Sequence, residues 1–199
     1  MSAALLLAST SPWRASMLRD AGVEIETVRP SVDEEEAKAS LRAEGVRARD
    51  QADALAEMKA CRTSARHSGR LVIGADQILS FGGEALDKPA DQDEARQRLA
   101  DLRGARHDLY SAAVIALDGA PIWRHIGAAR LTMRPFTDAF LDDYLARVGE
   151  AATKTPGAYA IEGLGGQLFS RVEGDYFSIL GLPLLELLGF LRVRGVIME

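Results

Sequence analysis

Leu5-Leu6-Leu7-Ala8 runs without a polar break into Ser9-Thr10-Ser11-Pro12. A short unbroken apolar run predicts a strand covered on both faces, and hydroxyl residues followed by proline predict a helix start, because the hydroxyls cap free N–H groups and proline tolerates the first turn. The helix is expected over residues 13–21, with Gly22 just past its end, and the alternation over 23–28 predicts another strand. After Pro30 the acidic head Asp33-Glu34-Glu35-Glu36 opens a long helical stretch reaching about His67. It carries Ala52, Leu55, Ala56, Met58 and Lys59, with a break expected near residues 47–50.

Residues 71–75 (Leu-Val-Ile-Gly-Ala) repeat the buried pattern of a parallel strand and run straight into Asp76, which places that carboxylate at the strand's C-terminal end. Gly82-Gly83 predicts a hairpin turn before Leu86-Asp87-Lys88-Pro89. Residues 91–102 have an acidic first turn and Gly104 beyond, the signature of a helix. Two longer strands are expected over 108–117 and 122–133, joined at Asp118-Gly119. A helix follows over 136–148. Residues 156–174 are rich in glycine, which permits close backbone approach to a ligand. An apolar helix opening at Pro183 covers 182–191. Strands alternating with helices, together with antiparallel hairpins, predict an α/β (mixed α+β) fold: one domain over residues 1–199, with a mixed twisted sheet flanked by helices and a cleft between two lobes.

Composition narrows the function. With 199 residues, 47% of them hydrophobic, the chain can bury a core of its own. A formal net charge of -5 excludes a general nucleic-acid binder, since no basic excess exists to neutralise a phosphate backbone. Any phosphate must be met locally. The single cysteine, Cys61, forms no intramolecular disulfide and reads as a small residue on a helix face in a reducing compartment. No stretch reaches the roughly 18 apolar residues of a membrane span, and no basic region precedes the first apolar run, so no membrane partner is expected and the location is expected to be cytoplasmic.

The turn Ser9 to Arg14 combines hydroxyls, a helix N-terminus and a guanidinium, which together make an anion cradle, although a capped helix with a surface arginine has the same sequence. Asp76 can hold a metal or activate water. Lys59 and Lys88 can each meet a phosphate as a point charge, the ordinary alternative being a solvated side chain. Asp33 and Glu34 read first as a solvated helix start. Set across a cleft from Asp76, they would supply the hard oxygens that magnesium takes beside a triphosphate. His67, His107 and His125 lie in dissimilar contexts without Cys or Glu at zinc spacing. No glycine-rich loop ends in Lys-Ser or Lys-Thr, which excludes the P-loop mechanism.

The motifs Leu7-Ala8-Ser9-Thr10-Ser11-Pro12-Trp13-Arg14, Pro30 to Glu34, Leu55 to Ala60, Ile73-Gly74-Ala75-Asp76-Gln77, Lys88-Pro89, Glu162-Gly163-Leu164-Gly165 and Gly181-Leu182-Pro183-Leu184 occur in one order along nearly the whole chain. In that order they resemble the Maf nucleotide pyrophosphatases. The resemblance implies a Maf/ITPase-like fold and hydrolysis of a nucleoside triphosphate to monophosphate and pyrophosphate, removing modified nucleotides before they enter nucleic acids. It also implies a divalent cation (Mg, Mn or Co) held by Asp76 and Glu34, and a homodimer by analogy. The same resemblance assigns proton acceptance to Asp76, metal or water handling to Glu34, and phosphate binding to Ser9, Arg14, Lys59 and Lys88.

Trp13, Gln77 and Glu162 resemble the set of the 7-methyl-GTP type rather than the Arg, Thr and Gln of the pyrimidine type. An indole face stacks on the delocalised cation of 7-methylguanine, and a carboxylate accepts from its N1–H and amino group. The bland alternatives are a core aromatic at position 13 and a surface acid at 162. Tyr159-Ala160 looks more like the pyrimidine type, which leaves dTTP, UTP or broad specificity as the alternative substrates. Ala15 replaces a frequent second arginine, and Asp87 replaces a usual glycine and brings a negative charge beside Lys88. The resemblance also carries a rival role, nucleotide-binding regulation of septum formation.

Overall fold

The computed structural model describes residues 5–198; residues 1–4 and 199 lie outside the described residues. The chain order is β1 (Leu5–Ala8), α1 (Pro12–Asp20), β2 (Ile25–Val28), α2 (Glu34–Ala43), α3 (Ala48–Ser64), β3 (Val72–Phe81), β4 (Glu84–Leu86), α4 (Gln92–Leu102), β5 (Arg106–Leu117), β6 (Ala120–Met133), α5 (Asp138–Val148), β7 (Phe169–Gly174), α6 (Tyr176–Ile179) and α7 (Leu184–Val193). Short 3₁₀ turns at Gly149–Lys154 and Leu164–Leu168 fill the segment between α5 and β7.

The seven strands form one mixed sheet in the order β2-β1-β3-β5-β6-β7, with β4 folded back on β3. β1 is parallel to both β2 and β3, and the remaining pairs are antiparallel. Helices flank this sheet, as the alternation of patterns predicts. The hairpins fall at the expected glycines: Gly82 and Gly83 both have positive φ between β3 and β4, as do Asp118 and Gly119 between β5 and β6.

Several boundaries move. The long helical stretch breaks at Gly45, whose φ of 69° ends α2, rather than at 47–50. β3 does not stop at residue 75 but continues to Phe81, so Asp76 lies mid-strand, paired with Ala112 of β5. The strand that ends beside Asp76 is its neighbour: β1 stops at Ala8, opposite Gly74. The physical rule about strand ends therefore applies to β1, beyond which no strand pairs β3 on that flank until β4 joins it at Leu79. β7, within the glycine-rich stretch, and α6, just beyond it, carry no clear pattern, because β7 is an almost wholly exposed edge strand and α6 is a single turn.

The core divides around this geometry. Ile73 and Ala75 face α1 and α7, with Leu5, Leu7, Leu18, Leu187 and Leu191 around them. Ile78 belongs to the opposite face, under α3, with Leu55, Ala56, Ala60 and Val114. A third cluster joins Leu79, Leu99, Leu109, Leu131, Leu141 and Tyr144 at the far end, beneath α4 and α5. The expected cleft opens between this last body and the β1, α1 and α3 side. Among the described residues no helix is long and apolar enough to cross a membrane.

Candidate active site

Gly74 sets how closely α3 approaches β3. A Cβ at this position would stand 2.2 Å from the Ala56 carbonyl oxygen and 2.5 Å from the Ala60 nitrogen, so only glycine lets the helix backbone lie against the strand. Side chains alternate along a strand, so Asp76 projects from the same face as Gly74, toward that helix. Lys59, one residue before Ala60, meets it there: Nζ donates to Asp76 Oδ1 at 2.7 Å and lies 3.0 Å from Glu34 Oε2 at the start of α2. Lys59 and Asp76 are buried, and Glu34 is partly open. The three sequence candidates, contributed by a strand and two helices, thus form one ion-paired cluster. Asp76 Oδ2 and Glu34 Oε1 accept no hydrogen bond from the described residues.

The turn after β1 stands beside this cluster. Ser11 caps α1 by accepting from the Arg14 amide, and the buried Ser9 hydroxyl accepts from the Ser11 amide at 3.2 Å. The Arg14 guanidinium donates to the Ala75 carbonyl at 3.0 Å, the Gly181 carbonyl at 2.9 Å and Ser9 Oγ at 3.4 Å. Desolvation lowers the Arg14 pKa from its ordinary value, while Asp76 and Glu34 oppose the shift. Lys88, at the mouth, has its pKa lowered by desolvation and then by its fellow cations Arg14 and Lys38. Ser9, Arg14, Glu34, Lys38, Lys59, Asp76 and Lys88 all line one cleft of about 610 Å³.

A smaller cavity of about 50 Å³ adjoins it, lined by Trp13, Gln77, Tyr159 and Glu162 among others, and Trp13, Gln77, Thr155, Pro156 and Leu180 belong to both. Trp13 is 54% exposed, which sets aside the core-anchor reading and leaves an indole face bare at the junction of the two spaces. Gln77 stands there too, but its amide nitrogen is committed inward, to Ser111 Oγ and to the carbonyls of Ser178 and Ile179. Its Oε1 is the atom left for a ligand. Glu162 is exposed on the rim.

Thr155 and Lys38 escaped the sequence reading, and Tyr159 entered it only as a mark of the pyrimidine type. Thr155 holds Tyr159 twice, accepting from its amide and donating to its carbonyl. Tyr159 packs on Gly157, where a Cβ would fall 2.1 Å from the ring, and so forms the back wall of the small cavity. Lys38, one turn beyond Glu34, was legible from its i, i+4 spacing to that residue.

The two sequence departures look different in place. Asp87 does not bear on Lys88 as a bare charge. It pairs with Lys38 at 3.1 Å and Arg42 at 2.6 Å, and those contacts hold its carboxyl below the ordinary range against the opposing effect of burial. Ala15 is buried against the core of the β1 side. Cys61 lies half-buried on α3, and burial raises its thiol pKa, in keeping with a packing residue.

A model of one protein family, described as Maf-like protein, matches residues 4–194. The chain belongs to the Maf-like family. This Maf-like chain is 54% identical over 197 residues to a nucleoside triphosphate pyrophosphatase of Hyphomonas neptunium, covering 99% of each chain. It is 55% identical over 191 residues to a protein of the same name from Caulobacter vibrioides, covering 96% of each. A 7-methyl-GTP pyrophosphatase of Mesorhizobium japonicum is 49% identical over 197 residues, again with 99% of each chain covered.

Proposed function

We propose that this Maf-like chain hydrolyses nucleoside triphosphates to monophosphate and pyrophosphate, with 7-methyl-GTP preferred. The observation that carries the reading is the continuity of the two cavities: cations and a helix N-terminus line one, a bare indole and a carboxylate line the other, and Trp13 and Gln77 stand at the join. A triphosphate needs the first kind of surface and a cationic purine the second. The names of the relatives support the reaction, and one of them supports the base.

In this reading Asp76 takes a proton from water, whose oxygen bonds to the α-phosphorus as the bond to the bridging oxygen breaks and pyrophosphate leaves. Lys59 orients Asp76 through Oδ1 and leaves Oδ2 for the water proton. Arg14, Lys88 and the first turn of α1 stabilise charge growing on the leaving group. Among the described residues no three His, Cys, Asp or Glu side chains gather as a metal nest. Magnesium, however, is commonly held by one or two carboxylates with the rest of its shell from phosphate and water. Glu34 Oε1 and the second lone pair of Asp76 Oδ2, beside the one that receives the water proton, would supply that share of a shell. A divalent cation bound there would neutralise phosphate charge and polarise the phosphoryl oxygens.

A second reading, preference for dTTP or UTP, is supported by Tyr159-Ala160 in the wall of the small cavity. Pyrophosphate release from 7-methyl-GTP, GTP, UTP, dTTP and ATP with magnesium or manganese, with Asp76→Asn as control, separates them. Preference for 7-methyl-GTP that vanishes in the variant is the expected result. Preference for UTP or dTTP would keep the reaction and overturn the base assignment. Absence of pyrophosphate from every substrate would favour nucleotide-binding regulation.

A further inference from the structure

Helix α2 has no buried residue, yet it carries Glu34 into the ion cluster. Besides Ala37 and Leu41, which pack half-buried against the cluster under α3, it is held one turn further on, where Lys38 and Arg42 share Asp87, the residue immediately before Lys88. Lys38 does more than tether. Its side chain is only 18% exposed, it lines the same cleft as Arg14, Lys59 and Lys88, and it is close enough to Lys88 for their charges to repel. The cations around that space differ in how free they are. Lys59 is held by two carboxylates and Arg14 by backbone carbonyls. Lys38 pairs with Asp87 at 3.1 Å and more loosely with the exposed Glu35 at 3.8 Å, and Asp87 has a second cationic partner in reserve: Arg42 reaches its Oδ2 while Lys38 takes Oδ1.

We propose that Lys38 binds the distal end of the triphosphate chain, passing from Asp87 to a phosphate oxygen when substrate enters while Arg42 keeps Asp87 neutralised. The exchange costs little, because no buried charge is left unpaired when the ammonium moves. The ammonium gains an oxyanion of higher charge than a carboxylate, and α2 is drawn against the substrate together with Glu34. Asp87 is then a positioning residue: it parks Lys38 at the mouth and competes with the phosphate for it.

This inference rests on the phosphate reading of the cleft, so its test reads binding without turnover. Inorganic tripolyphosphate is titrated calorimetrically into the full chain in the presence of magnesium, and melting curves confirm folding of each variant. Lys38→Met is expected to weaken tripolyphosphate binding about tenfold, the scale of one lost charge-assisted hydrogen bond. Nucleoside monophosphate inhibition should change much less, and Lys38→Arg should recover part of the loss. Asp87→Asn is expected to tighten tripolyphosphate binding severalfold, since the competing carboxylate is gone. If Lys38 only tethered α2, both variants would weaken binding alike, and that result overturns the proposal. Equal binding by Lys38→Met and the unsubstituted protein also overturns it, while leaving the phosphate reading intact. No tripolyphosphate binding by the unsubstituted protein would overturn both.

Discussion

Lys59 Nζ lies 2.7 Å from Asp76 Oδ1, and this contact ties α3 to the middle of β3 at a place where both side chains are buried. Removing one partner of such a pair leaves the other charge without compensation, which commonly costs more than the pair itself contributes. Lys59→Met should therefore lower stability by about 2 to 4 kcal/mol, somewhat moderated because the cleft admits water. Asp76→Asn should cost less, since a neutral amide can still accept from Lys59. The double variant should recover part of the Lys59→Met loss, because the stranded carboxylate is gone. Urea unfolding of the four proteins measures this; additive losses would show that the two residues do not act as a pair. Each single variant should lower pyrophosphate release on the order of 10²-fold or more.

Gly74 is the steric condition for that contact. With a Cβ 2.2 Å from a backbone oxygen of α3, Gly74→Ala forces the helix outward, since no flexible side chain is there to yield. A destabilisation of roughly 1 to 3 kcal/mol is expected for such overpacking. The functional loss should exceed what reduced folding explains, because Lys59 and Asp76 separate when the helix moves. Activity per folded molecule, measured well below the melting temperature, should fall at least tenfold. Unchanged activity would mean that the cluster tolerates the shift.

Most of this architecture is legible in the sequence, because the strands, helix caps and glycine turns rest on local rules. Ser11 caps α1, Asp91 caps α4 and Thr137 caps α5 by the hydroxyl or carboxylate that each position calls for. Asp76 shows where local reading stops. The apolar run before it suggests a strand end, but the end belongs to β1, and only pairing between distant segments reveals that. Residue chemistry could set Glu34 across a cleft from Asp76 as a condition, but that Lys59 joins them was not legible, since no spacing links residues on three elements. Asp87 could not be judged from sequence for the same reason: it sits in the loop after β4, and its neutralising partners, Lys38 and Arg42, lie on α2.

Trp13 and Glu162 face one cavity from opposite ends of the chain, so the base reading makes a paired prediction. Trp13→Ala removes the stacking face and should lower kcat/KM for 7-methyl-GTP by about 10-fold or more, on the scale of a desolvated cation–π contact. Neutral GTP should lose less, because stacking on an uncharged base lacks the cation–π part. Glu162→Gln should reduce both guanine substrates and leave UTP nearly unchanged, since uracil has no N1–H and amino pair to donate. Equal losses across all nucleotides would show that the two residues shape the cleft without reading the base.

His107 gives a prediction about pH. It is buried beneath the small cavity, sharing a 2.7 Å hydrogen bond between Nε2 and the Tyr159 hydroxyl, while Nδ1 has no partner. A proton added at Nδ1 would be a buried donor with no acceptor, and burial lowers the pKa from 6.5 to about 4 despite the opposing charge of Asp108. The folded state therefore keeps His107 neutral while the unfolded chain takes up a proton as pH falls below about 6.5. The stability tied to this group is complete above that pH, is lost progressively between about 6.5 and 4, and changes no further below. The loss amounts to roughly 3 kcal/mol at most. His107→Gln removes the titration while keeping a polar group near Tyr159, so its unfolding free energy should fall less between pH 7 and pH 4 than that of the unsubstituted protein. Parallel pH profiles would show that the imidazole is protonated in the fold. Because the folded protein keeps His107 neutral down to about pH 4, the Tyr159 wall of the small cavity should stay as it is over that window, and nucleotide preference per folded molecule should change little between pH 6.5 and pH 5.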